Sequence, residues 1–466
     1  MIDLTPPGAV RWICRTLEEA GYETWAVGGA VRDALVGRSG GDWDLTTEAR
    51  PATMRRLFKR TVPIGVDHGT VGVLARDGTM YEVTTFRRDV ETTGRHAVVA
   101  FADSLDEDLA RRDFTINAIA WHPLRRILHD PFHGRGDLEA RVLRTVGDPA
   151  ERFAEDYLRV LRALRFSGAY RLRVETESWQ ALVRAVPHMG GLSPERVREE
   201  MEKVLAGPSP PSASLSLYGA SGALGFFYPE LDRTVGLETS PEGGSPGPTD
   251  RGGDLWSHSL RTVDLLSPDR PDLRWAALLS GIGVPVESMG AGEEDESSGR
   301  RGLLRAAALL RRLRSSNARI DTVAGLVEWI RAAPNPGVPD SDLREWLAGV
   351  ERERLPSLVR IWLAEARADR FRGGTETAGG WVPHELVTLV TRLRELARSG
   401  APLSVGELAL SGRDLIRLGH RPGPYFGDLL DHLLTRVLED PSRNTLEALI
   451  GEVHRWMESR ERRQDG

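Results

Sequence analysis

Cysteine is all but missing from this 466-residue sequence: Cys14 is the only one, so no disulfide can close within the chain, which fits a reducing cytoplasm. Lysine is nearly absent as well. Lys59 and Lys203 stand alone, and arginine carries almost all the positive charge. Its planar fork grips phosphate and stacks on bases. No apolar run approaches the roughly 20 residues that cross a bilayer, so no membrane association is expected. The first eleven residues hold Asp3 and two prolines and lack the cationic-then-apolar pattern of a secretory signal. The net charge of −6 speaks against a uniformly basic surface, although it averages over faces. With 40% hydrophobic and 28% charged residues the chain reads as globular, and its length implies two to four domains.

Apolar spacing predicts a helix over Trp12 to Ala20 and a short buried strand over Tyr22 to Val27, ending at Gly28-Gly29. A helix over Val31 to Val36 follows, and Asp42-Trp43-Asp44-Leu45 alternates as a strand does. Val71 to Ala75 and Met80 to Phe86 read as strands joined by the turn Arg76-Asp77-Gly78. Beyond Asp148 the pattern turns helical: Ala154 to Phe166, Glu175 to Val186, and Pro194 to Leu205 with Ser193 as its cap. Thr239 to Asp254 and Glu287 to Arg301 have the composition of loops or linkers. Pro402 to Trp456 is helical again, punctuated by Gly419 and Arg421-Pro422-Gly423-Pro424. No internal repeat is visible.

Asp42 and Asp44, at i and i+2 of one strand, present two carboxylates to one face, the grip that two hard cations need for phosphoryl transfer. Glu82, on a strand able to lie alongside, is a candidate third metal carboxylate. Gly28-Gly29 closes a strand and opens a helix bearing Arg32, so backbone N–H groups and a guanidinium can face a triphosphate.

Gly-Gly-x-x-Arg-Asp followed by Asp-x-Asp resembles the polymerase-β-like nucleotidyltransferases, and within them the bacterial class II tRNA nucleotidyltransferases and poly(A) polymerases. Arg111-Arg112-Asp113-Phe114-Thr115-Ile116-Asn117-Ala118 is similar to that family's second signature. It implies that Arg112, Asp113 and Asn117 hold the sugar and phosphates of the incoming nucleotide; an aspartate accepting from a 2′-hydroxyl selects ribonucleotides. Glu155-Asp156-x-x-Arg159-x-x-Arg162, with Arg165 beyond, resembles the family's protein template. There Asp156, Arg159, Arg162 and Arg165 would read the base edge of CTP or ATP, since arginine offers donors and a carboxylate acceptors. Leu192 to Glu200 resembles the next signature, making Glu195, Arg196 and Glu199 supports of that helix, as Glu155 is. The polar stretch Arg87 to Leu109 corresponds to the family's flexible loop, and its retention argues against an enzyme adding cytidines only.

The resemblance implies an α/β head with a mixed sheet at residues 1–135, a helical neck at 136–208, a helical body at 209–375 and a helical tail at 376–466. The body, with Trp256-Ser257-His258 and Leu273 to Gly283, resembles an HD phosphohydrolase module in which Ser280-Gly281 stands where a His-Asp pair binds metal. That module is expected to be architectural. The tail resembles that of tRNA nucleotidyltransferases, with Arg413, Arg417, Arg421 and Gly423 as tRNA contacts. The implied activity is addition of CMP and AMP from CTP and ATP to the 3′ end of tRNA, with two Mg²⁺ ions. No protein partner can be named. Tyr157 after Glu155-Asp156, where poly(A) polymerases carry proline, favours a tRNA enzyme. The rivals are an enzyme adding only A or only the two cytidines, a poly(A) polymerase, a non-catalytic RNA-binding protein, and a phosphohydrolase.

Overall fold

The computed structural model describes residues 4–38, 41–65, 69–93, 96–237, 254–284, 297–370 and 383–464. The chain divides into two compact units, one of residues 1–232 with 312–314, the other of 233–311 and 315–466.

In the first unit, α1 (Gly8–Glu19) buries Val10, Ile13, Cys14 and Leu17, a helical stripe spaced by three and four residues. Next come β1 (Thr24–Val27), α2 (Gly29–Leu35), β2 (Asp44–Thr47), α3 (Pro51–Leu57), β3 (Thr61–Gly65), β4 (Thr70–Leu74), β5 (Met80–Thr85), β6 (Arg87–Thr93), β7 (His96–Phe101), α4 (Leu105–Ala110), β8 (Ala120–His122) and β9 (Ile127–His129). Seven strands form one sheet in the order β3-β4-β5-β2-β1-β8-β9. Only β2 and β5 run parallel; the other neighbours are antiparallel, so the sheet is mixed as expected. All four residues of β1 are buried because it lies inside the sheet, between β2 and β8. Trp25, Val27, Phe86, Leu105, Leu109 and Ala120 pack into one core beside it.

The same unit continues through α5 (Gly134–Glu139), β10 (Val142–Leu143), α6 (Pro149–Glu155), α7 (Leu158–Tyr170), β11 (Arg173–Val174), α8 (Thr176–Ala185), α9 (Pro194–Leu205), α10 (Pro211–Ser221), α11 (Ala223–Phe227) and α12 (Pro229–Asp232).

Four local expectations need correction. The helix read over Ala154 to Phe166 is broken: the backbone turns extended at Asp156 (φ −153°, ψ 103°), between α6 and α7. The Asp156 carboxylate accepts from the Leu158 amide at 3.1 Å, offering the chain a local substitute for a helical bond. Asp42 precedes β2, which begins at Asp44. Arg87 to Leu109 is not a structureless loop, because β6 and β7 pair as a hairpin and α4 follows, its cap Ser104 accepting from the Glu107 amide. Ser193 precedes α9 but makes no side-chain cap bond; Pro194 at the first helical position sets the start.

The second unit is helical throughout its described residues: α13 (Leu255–Leu265), α14 (Pro271–Leu279), α15 (Ser298–Arg312), α16 (Asn317–Ile330), α17 (Asp340–Val350), α18 (Leu355–Arg370), α19 (Pro383–Arg398), α20 (Gly412–Arg417), α21 (Tyr425–Glu439) and α22 (Leu446–Gln464). Of the two linker readings, 239–253 and 287–296 lie outside the described residues, whereas Ser298 to Arg301 opens α15 instead of a loop. Trp275 and Trp362 are among its fully buried side chains. A separate leucine cluster, including Leu410, Leu415, Leu429, Leu433 and Leu449, holds α20, α21 and α22 together.

Candidate active site

β2 and β5 place two carboxylates side by side. Leu45 pairs with Val83 in parallel register, so Asp44 and Glu82, one position earlier on each strand, stand at matching ends of neighbouring strands. The Asp44 carboxyl is pushed up to about 6 by burial, then by the negative charge of Glu82; Arg112 offsets part of this and Asp42 adds to it. Asp42, outside the strand, is exposed and lines the same cleft as Asp44 and Glu82. Among the described residues no group of three or more His, Cys, Asp and Glu side chains is drawn together closely enough to hold a metal ion. Asp42, Asp44 and Glu82 thus share one cleft without closing into a compact cluster, and the charge of Glu82 raises the Asp44 carboxyl.

Directly across from Asp44 in β1 is Val27, and the next residue is Gly28, at φ +74°. A Cβ there would sit 3.5 Å from Arg112 Nη1 and 3.6 Å from Asp44 Oδ2, filling the space between the guanidinium and the carboxylate. Glycine suits the turn by its positive φ and keeps this cradle open. The residues fit a divalent cation and a triphosphate: a half-buried carboxylate with excess negative charge faces an open glycine turn. In the same wall the Nε–H of Arg112 is buried without a hydrogen-bond partner, a donor waiting for an acceptor.

Arg32 lies differently from its expected role as a free charge. It is buried and nearly saturated: Nε and Nη2 donate to Asp33 Oδ1 at 3.0 and 2.9 Å, Nη2 to the Tyr170 hydroxyl at 2.7 Å, and Nη1 to Asn117 Oδ1 at 2.6 Å. The rings of Phe166 and Tyr170 flank it. It lines the cleft, and its donors are taken up by protein partners.

The second signature lines the same cleft. Asp113 is buried and accepts from the Phe114 amide, from Asn117 Nδ2 at 2.9 Å and from Arg162. Burial alone would raise its pKa, but Arg162 and these hydrogen bonds hold it below the ordinary carboxylate range. Asp108, which the sequence reading passed over, organises the arginines. It sits one helical turn before them on α4, is 1% exposed, and accepts from Arg111 Nε and Arg112 Nη2, each at 3.2 Å. Despite burial, Arg112 and Arg111 keep it ionised. Its spacing of three and four residues from the pair was the available signal.

A cleft of about 640 Å³ gathers Gly28, Gly29, Arg32, Asp44, Glu82, Arg112, Asp113 and Asn117 with Asp156, Arg159, Arg162, Arg165 and Arg196. The base-reading candidates are thus brought into one cleft with Asp44 and Glu82, and each has an internal partner. Asp156 pairs with Arg196 Nη2 at 2.6 Å. Arg159 meets Glu155, and its Nη1 donates to the Arg152 carbonyl at 2.8 Å. Arg162 Nη2 is 2.7 Å from Asp113, and Arg165 Nε is 2.7 Å from the buried Glu200. Glu200, on α9, is another residue the reading missed; it also takes Lys203 Nζ at 2.9 Å. Glu195 is not among the residues of the cleft wall.

In the second unit, His258 is buried with Nε2 3.9 Å from Glu365, and the Ser280 hydroxyl donates to the Ala277 carbonyl at 2.9 Å. Arg413, Arg417 and Arg421 are exposed, Arg417 pairing with Asp414 at 3.0 Å, and Gly423 lies just before α21.

Comparison with known proteins bears on this geometry. The family model described as the poly A polymerase head domain matches residues 24–144, and a second, described as the probable RNA and SrmB-binding site of polymerase A, matches residues 171–234. A CCA-adding enzyme of Geobacillus kaustophilus is 34% identical over 462 residues, covering 97% of this chain and 96% of the relative. The crystal structure of the Bacillus stearothermophilus CCA-adding enzyme in complex with CTP superposes with a TM-score of 0.71 at 29% identity, covering 98% of each chain. A Thermotoga maritima CCA-adding enzyme complexed with tRNA CCA shares the fold at 19% identity, with a TM-score of 0.57 over 96% of this chain and 94% of the other.

Proposed function

The chain belongs to the CCA-adding enzyme family, and on that premise we propose that it adds CMP and AMP from CTP and ATP to the 3′ end of tRNA, releasing pyrophosphate. The observation that carries the reading is the raised, charge-crowded Asp44 carboxyl beside the open Gly28 turn and the unpartnered Arg112 Nε–H. Family membership brings divalent-metal dependence; we assign two Mg²⁺ ions to Asp42 and Asp44, with Glu82 as a further ligand. Bound there, the metal supplies a lowered pKa for the attacking hydroxyl and charge neutralisation on the departing pyrophosphate.

Gly28, Gly29 and Arg112 receive the triphosphate, and Arg32 holds that wall in place. Asp113 and Asn117 face the ribose, where a carboxylate accepting from the 2′-hydroxyl favours ribonucleotides. Asp156 and Arg159 read the base edge, with Arg162 and Arg165 beside them and Glu155, Glu195 and Arg196 as supports. The tRNA 3′-oxygen forms its bond to the α-phosphorus as the bond to pyrophosphate breaks. The division into head (1–135), neck (136–208), body (209–375) and tail (376–466) is retained, with Arg413, Arg417, Arg421 and Gly423 of the tail contacting tRNA. No described helix is long and apolar enough to cross a membrane, and we assign the enzyme to the cytoplasm.

Incubating the protein with radiolabelled CTP, or with radiolabelled ATP, and a tRNA lacking all three terminal nucleotides tests this. Incorporation of two C and then one A is expected. No C incorporation with A added only to a tRNA already ending in CC, incorporation of C without A, or long A tracts would replace the reading with one of its rivals.

A further inference from the structure

We propose that Tyr170 is a positioning residue for nucleotide selection: its hydroxyl locks the far end of the base-reading helix to the segment that carries the phosphate turn and the metal carboxylates. The inference rests on the proposed function and concerns the same site.

α7 carries Arg159 and Arg162 near its start and Tyr170 as its last residue. The Tyr170 hydroxyl donates to Asp33 Oδ1 at 2.5 Å and accepts from Arg32 Nη2 at 2.7 Å, while Arg32 itself grips the same carboxylate oxygen. Both partners lie on α2, directly after Gly28-Gly29. The ring is held on two sides as well, with the guanidiniums of Arg32 and Arg38 4.5 and 4.4 Å from its centroid. The second Asp33 oxygen faces the segment that leads to Asp42. It lies 3.2 Å from the position a Cβ would take on Gly41, the residue immediately before Asp42.

A second path leaves Arg32 through Asn117 and Asp113 to Arg162. Hydrogen-bonded paths therefore tie α7 to Arg32 at two points eight residues apart, more than two helical turns, with the Phe166 ring against the guanidinium between them. One tie leaves a helix free to pivot about it; two fix its direction. Loosening the Tyr170 tie lets α7 turn about the Arg162 tie, which changes the angle at which Arg159, one helical turn from that pivot, presents its side chain, without removing any group proposed to touch the nucleotide. Positional error of this kind falls most heavily on choosing between bases.

The test is Tyr170→Phe, which keeps the ring between Arg32 and Arg38 and deletes only the hydroxyl, alongside Tyr170→Leu, which deletes both. Single-turnover incorporation of each of the four nucleotides on truncated tRNA is measured with the melting temperature. Tyr170→Phe should melt near wild type, keep KM for CTP within about twofold, and lose roughly fivefold in kcat. Its ratio of correct to incorrect nucleotide should fall by a similar factor. Tyr170→Leu should lose more in both. If Tyr170→Phe matches wild type in kcat and selectivity, or if both variants lose activity only in proportion to unfolded protein, the proposal is overturned. Wild-type protein that incorporates neither C nor A would instead overturn the functional reading itself.

Discussion

Arg162 and Asp113 are joined by two bonds, Nε at 2.8 Å and Nη2 at 2.7 Å from the same carboxylate oxygen, so α7 is fastened to the segment that carries Asp113 and Asn117. The pair is asymmetric. Asp113 is 8% exposed and Arg162 32% by side chain, which makes the carboxylate the member that suffers when the bond is lost.

Removing the arginine therefore costs more than the pair is worth. Arg162→Ala should lower unfolding free energy by ~3 kcal/mol, because it leaves a buried carboxylate whose main cation has gone. Asp113→Ala/Arg162→Ala should cost less than the sum of the two single changes. Urea unfolding of the four proteins checks this, and additive losses would contradict it.

Asp44 links metal binding to pH. Its folded-state pKa of about 6 lies above the ordinary 3.8, owing to burial and then to Glu82. A carboxyl raised in this way favours the folded state while protonated, so without metal its contribution to stability declines as pH rises from about 4 to 6. A divalent ion removes that penalty by holding the ionised form. Mg²⁺ should raise the melting temperature at pH 8 and much less at pH 5, and Glu82→Gln should move the midpoint of the Mg²⁺ effect below 6. A metal effect equal at both pH values would exclude the assignment.

Asp108 behaves in the opposite sense. Arg112 and Arg111 overcome its burial and hold its pKa low, so its stabilisation is complete above about pH 4, the range of a free aspartate, and is lost only as pH falls through the depressed folded value. Asp108→Asn should flatten acid unfolding below about pH 4. It should also raise KM for both nucleotides several-fold by releasing Arg112, measurable by steady-state incorporation.

Arg159→Ala should reduce kcat/KM for CTP and ATP by about tenfold while leaving the tRNA KM unchanged, since one bidentate donor to a base edge carries ~1–3 kcal/mol. Equal loss for all four nucleotides would assign Arg159 to the fold instead of to base reading.

Much of the head was legible because its signals are local. Alternation and the Asp77-Gly78 turn gave β4 and β5 to within a residue, and Gly28 marked the end of β1. The mixed sheet and the helical remainder followed from the alternating and helical patterns along the chain, and the family resemblance agreed with them. What stayed hidden depends on partners distant in sequence. Asp156 leaves the helix where it caps Leu158 and meets Arg196, 40 residues on. Arg32 was read only as a charge facing a triphosphate; its bonds to Asn117 and Tyr170 stayed hidden, since no spacing rule reports a contact across 138 residues. Asp108 was the exception, a local signal overlooked.

The most direct test of the whole account is single-turnover extension of a tRNA lacking its terminal nucleotides by Asp44→Asn beside wild type, with CTP, ATP and Mg²⁺. Wild type should add C, C and A, while the variant, folded and still retaining tRNA, should show extension no faster than background. Extension by Asp44→Asn at the wild-type rate would remove the charge-crowded carboxyl from the chemistry and contradict the account.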